Sequence, residues 1–183
     1  MSEEMKRVDS TTIERGGADT INADNVSITQ GGANEVHATT VTIRQGGVQQ
    51  ANAEEITVKQ GGIVNAQADE IELVQGGVVL ARAESVEITG GGAVGVLATN
   101  VSIDAGGAQY MVARDTISIE QGGGLLIAAN KADLKNTFVG ILLARQVNGD
   151  VRVMFDKQAA VLFGLAAGLV IGLLGLLRVR RKR

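Results

Sequence analysis

The chain of 183 residues has no proline, no cysteine and no tryptophan, and it holds one histidine, one tyrosine and three phenylalanines. Each absence excludes something. Without cysteine there are no disulfides and no thiolate metal sites. Proline has no N–H to give to a ladder, so its absence suits a backbone whose donors are nearly all engaged between strands. The single histidine, His37, cannot build a clustered imidazole site for zinc, and the chain offers no serine–histidine–acid or cysteine–histidine set. His37 is expected on the surface. The opening "MSEEMKRVDS" carries charges with no apolar run behind them, so no secretory leader is expected there. The apolar fraction of 45% nevertheless excludes a disordered chain.

Positive charge is scarce until the last residues. The net charge of -3 divides into -8 over residues 1–177 and five cations, Arg178, Arg180, Arg181, Lys182 and Arg183. An acidic body with a short basic tail does not fit nucleic-acid binding.

Glycine is abundant, with 25 residues, and it is periodic. Gly-Gly pairs begin at Gly16, Gly31, Gly46, Gly61, Gly76, Gly91 and Gly106, fifteen apart, and the next begins one residue late at Gly122. A period this strict marks a stack of equal small units. If the first glycine is position 1, position 8 is alanine in every unit, from Ala23 to Ala98, then Ala113 and Ala129. Position 6 is apolar from Ile21 to Ile127, position 11 runs Val26, Val41, Ile56, Ile71, Val86, Val101, and position 13 runs Ile28, Ile43, Val58, Leu73, Ile88, Ile103.

Apolar residues thus come in pairs two apart, and five residues separate one pair from the next. A spacing of two puts both side chains on one side of a strand. Three short strands close a triangular turn, and the fold expected is an all-β parallel β-solenoid with fifteen residues per turn and about eight turns. A helical alternative fails, because paired glycines would cost about 2 kcal/mol per unit and the spacing is not 3.6. The first glycine is expected to face inward and the second to lie beside a corner. Gln30, Gln45, Gln60 and Gln75 at position 15 are placed either for an amide ladder or simply as a repeated polar corner.

The outward positions change along the chain. Early units carry Asp19-Thr20, Asn34-Glu35 and Gln49-Gln50 at positions 4 and 5; later ones carry Val64, Val79, Leu80, Val94, Tyr110, Leu125 and Leu126, joined at position 7 by Leu97 and Val112. This apolar face is a candidate interface. Its cover is expected from residues 137–155 folding back, from a second copy, or from a membrane.

The run "AAVLFGLAAGLVIGLLGLL" from Ala159 to Leu177 has no charged or polar side chain and, as a helix, crosses about 28 Å. It is expected to be a single transmembrane helix. Gly164, Gly168 and Gly172 form overlapping GxxxG steps that suit helix self-association. The expected layout is a charged segment 1–8, a regular solenoid 9–136, an irregular last turn and linker 137–157, a transmembrane helix 158–177 and a basic tail 178–183. The five cations flank the membrane. Cationic tails favour the cytoplasm, but a solenoid complete before the span emerges resists threading, so a tail anchor with the solenoid in the cytoplasm is expected.

Two weaker signals point elsewhere. "GGGAVG" at Gly90 to Gly95 matches GxGxxG, but no helix is expected after it and the repeat accounts for its glycines. Asp24, Glu54, Glu55, Asp69, Glu70 and Glu84 form an acidic column at positions 9 and 10, expected to be a solvated face. No cofactor and no metal are expected.

The run "VEITGGGAVGVLATNVSIDAGG" (Val86 to Gly107), in a short proline-free solenoid with irregular ends and a membrane attachment, resembles the bactofilins, bacterial cytoskeletal proteins that polymerise end to end. The likeness covers residues 9–153 as architecture. It implies a polymer whose joining residues lie in the terminal turns. The function expected is a non-enzymatic, membrane-anchored scaffold that self-associates. The alternative is a membrane-displayed module that binds a different protein on the Val79, Leu80, Val94 and Tyr110 face.

Overall fold

A computed structural model describes residues 8–153. They form a parallel β-solenoid of about ten turns with no helix. In chain order the strands are β1 (Val8–Ile13), β2 (Gly16–Ile28), β3 (Gly31–His37), β4 (Thr40–Ile43), β5 (Gly46–Asn52), β6 (Glu55–Val58), β7 (Gly61–Gln67), β8 (Glu70–Leu73), β9 (Gly76–Ile88), β10 (Gly91–Leu134), β11 (Thr137–Asn148) and β12 (Val151–Val153). Every pairing between them is parallel, and most set residues fifteen apart side by side, such as Val36 beside Ala51 and Val101 beside Val86. Rungs spaced about 4.8 Å therefore stack into a rod roughly 48 Å long.

The turn is three-sided because the ladder breaks at fixed positions. Between β9 and β10 the paired residues are Gly91–Ala93, Gly95–Ala98 and Asn100–Ile103, with Val94 and Thr99 left out. Positions 1–3, 5–8 and 10–13 are thus the first, second and third sides, and positions 4, 9 and 14–15 are the corners. At the last corner a backbone N–H still reaches the previous turn: Arg44 donates to the Ile28 carbonyl at 2.8 Å and Lys59 to that of Ile43 at 2.8 Å. Such dense use of donors is what the lack of proline allows.

The interior is a column of positions 3, 6, 11 and 13. Val36, Val41, Ile43, Ile56, Val58, Ile71, Ile103 and Ile127 are all fully buried. Alanine at position 8 closes the tight end of the second side: Ala23, Ala38 and Ala113 are buried, and Ala53, Ala68 and Ala83 are packed against the core.

The first glycine of each pair is not buried in any turn. Its φ is positive, from +116° at Gly16 to +158° at Gly31, and in each unit after Gly16 an added Cβ would collide with the carbonyl oxygen of the first glycine one turn earlier. Close approach of backbone to backbone, not core volume, makes this column glycine.

About eight turns were expected, two fewer than the structure has, because the ladder outlasts its glycine markers. β11 pairs in register with β10, Thr137 beside Gly122 and Ile141 beside Leu126, and β12 adds a partial rung on Thr137–Val139. The positive φ of this turn moves back to Asn136, at +45°. Thr137 then fills position 1 with a buried hydroxyl that donates to the Lys135 carbonyl at 2.8 Å.

Candidate functional site: ends and outer face

The rod's two ends are open among the described residues. β1 pairs only with β2, and β12 pairs only with β11. Core positions become half-buried as they reach an end: Ile13 against the buried Ile28 at position 13, Ala18 against Ala33 at position 3, Leu142 against Ile127 at position 6. The missing cover is the next rung. β1 occupies positions 8–13 and leaves Gly16–Asn22 of β2 bare, where an open hollow is lined from Thr11 to Asn22. By its pairing with Thr137–Val139, β12 occupies positions 1–3.

The outer face follows position 4. On early turns this corner is an amide chain: Gln49 Nε2 donates to Asn34 Oδ1 at 2.9 Å, and Asn34 Nδ2 donates to Asp19 Oδ1 at 3.0 Å. In the fourth, fifth and sixth units it is valine. Val64, Val79 and Val94 stand exposed beside a shelf of second glycines, Gly62, Gly77 and Gly92, and a shallow apolar groove of about 580 Å³ runs between them. Leu97, Tyr110, Val112 and Leu125 continue the exposed face, while Leu80 and Leu126 are half-buried in it.

Residues 137–148 do not fold back over this face. They form the next rung and extend it with Phe138, Ile141 and Leu143, of which Leu143 is 59% exposed, while Val147 sits at interior position 11 and is exposed at the end of the rod. Sequence reasoning missed these three because the glycine pair that marks phase is gone. Counting fifteen onward from Gly122 would have put Ile141 at position 5 and Leu143 at position 7.

At position 15 the glutamines do form a ladder. Gln30 Nε2 donates to Gln45 Oε1 at 3.2 Å, Gln45 to Gln60 at 3.1 Å and Gln60 to Gln75 at 3.3 Å. His37 is surface-placed, its Nε2 2.9 Å from Glu35 Oε1. No group of acids and histidines able to hold a metal occurs among the described residues. Gly91 and Gly92 of the GxGxxG match are simply positions 1 and 2 of their turn. The Asn148 amide at 2.8 Å, and then Lys131 at 3.0 Å, hold the pKa of Asp133 below its ordinary value.

Gly164, Gly168, Gly172, Arg178, Arg180, Arg181, Lys182 and Arg183 lie outside the described residues, and among the described residues no helix is long and apolar enough to cross a membrane. No family model, no curated protein and no solved structure matches this chain.

Proposed function

We propose that the protein is a non-enzymatic scaffold that polymerises end to end through its solenoid and is held at a membrane by residues 159–177. The observation that carries this reading is the fit between the two ends. β12 fills positions 1–3 of a rung and β1 fills positions 8–13, so rods stacked head to tail place them on different parts of one turn. Each would gain parallel backbone partners, and the half-buried Ile13 and Ala144 would gain cover. The resemblance to bactofilins adds that joining residues belong in the terminal turns.

The test is sedimentation and light scattering of the full chain in detergent. Ile13→Asp and Val151→Asp, one at each open end, should each abolish large assemblies, whereas Val79→Asp on the outer side should not. Assembly that persists in both end variants, shown by circular dichroism to be folded, overturns the end-to-end reading.

A second reading is favoured by the exposed valine groove. In it, the outer face receives a different protein, and the rod remains a single particle that loses its partner when Val79 and Val94 become charged.

A further inference from the structure

We infer that the rod lies lengthwise on a lipid bilayer, with the corner at position 4 and the adjoining second side of its later turns against the lipid. The inference rests on the membrane-anchor reading of residues 159–177 and goes beyond it by assigning the surface that meets the membrane.

Three observations converge on this face. Its exposed apolar side chains are Val64, Val79, Val94, Leu97, Tyr110, Val112, Leu125, Ile141 and Leu143, a strip along roughly 30 Å of rod at about 4.8 Å per rung, interrupted by Gln67, Arg82 and Gln109. Valine, leucine and isoleucine in such a row suit the interface of a bilayer, and Tyr110 brings an amphipathic ring.

The charge beside the strip also changes sign partway along it, after Glu84. The position 9 corner, which closes the second side, carries Asp24, Glu54, Asp69 and Glu84 on early turns and Arg114 and Arg145 on late ones. Cations next to an exposed apolar side are complementary to anionic headgroups.

Finally, the described region ends beside this corner, because its last residue, Val153, pairs with Val139 at position 3. Only five residues, 154–158, separate it from the uncharged run that starts at Ala159, a reach of about 20 Å at full extension. Whatever holds that run keeps this corner close to the same surface. A rod lying flat also leaves both ends free for the joint proposed above.

The chain has no cysteine, so single labels can be placed at will. The full chain would be reconstituted into phosphatidylcholine vesicles containing phosphatidylglycerol, with bimane at Val64→Cys, Val94→Cys, Leu143→Cys or, on the third side, Ser102→Cys. Lipid-borne nitroxide is the quencher, and vesicle flotation is read in parallel. The expected result is several-fold stronger quenching at all three strip positions than at Ser102→Cys. Quenching at Leu143→Cys alone would mean a rod standing on its end and would overturn the inference. Flotation with no quenching at any strip position would also overturn it while leaving the anchor intact. Failure to float would remove the anchor reading itself and the inference with it.

Discussion

The first five and a half turns and the later ones share one interior and differ in almost everything outside it. Residues 8–90 hold twelve acids against four bases, while residues 91–153 hold five of each. The outer corner is an amide chain from Asp19 to Gln49 and turns to valine from Val64 to Val94. Inside, Ile43 and Ile103 occupy equivalent positions and are both fully buried. A solenoid permits this division because each inward residue meets only its own rung and the rungs above and below. The interior fixes the period, and the outside is left free to be acidic on one stretch and apolar on the next.

The sharpest way to test the shared interior is to break it in both halves. Gly61 at φ +148° and Gly106 at φ +128° both have a carbonyl one turn earlier in the way of a Cβ. Gly61→Ala and Gly106→Ala should each cost about 3 kcal/mol or more in urea unfolding. Gly77→Ala, whose Cβ would meet the Gly92 oxygen at an ordinary 3.7 Å, should change little. A mild effect at Gly61 or Gly106 would mean that the backbone contact does not set the glycine column.

Smaller effects separate the two exteriors. Gln45 links Gln30 to Gln60 in the early ladder, so Gln45→Ala should lose about 1 kcal/mol by the same measurement. Val94→Thr, on the late corner, should leave stability within about 0.5 kcal/mol, because an exposed valine has no such partner.

The smallest effect concerns the late turns alone. Asp133 is partly exposed and its pKa is lowered by Asn148 and Lys131. A carboxyl whose folded pKa is depressed contributes stability above its unfolded pKa, about 3.9, and that contribution fades as pH falls through the lower folded value. Asn148→Ala should move the Asp133 titration back toward the ordinary value by NMR, with no measurable change in unfolding at pH 7.

Much of this architecture was legible in the sequence. Positions 6, 11 and 13 could be read as core because a two-residue apolar spacing has one meaning in a strand, and Val64 to Leu126 could be read as an outer face by phase alone. The role of the first glycine was not legible, because a backbone collision with the preceding turn leaves no trace in side-chain pattern. Nor was the rung at 137–148, since Asn136 and Thr137 perform the work of a glycine pair without resembling one. The fit of β12 to β1 was also hidden, because it depends on where along the turn each end stops.

The most direct test of the account is electron microscopy of purified residues 1–157, which keep both open ends and lack the apolar run. Filaments one rod wide and many rods long, with about 4.8 Å between rungs, are the predicted result. Particles no longer than a single rod at every concentration would contradict it.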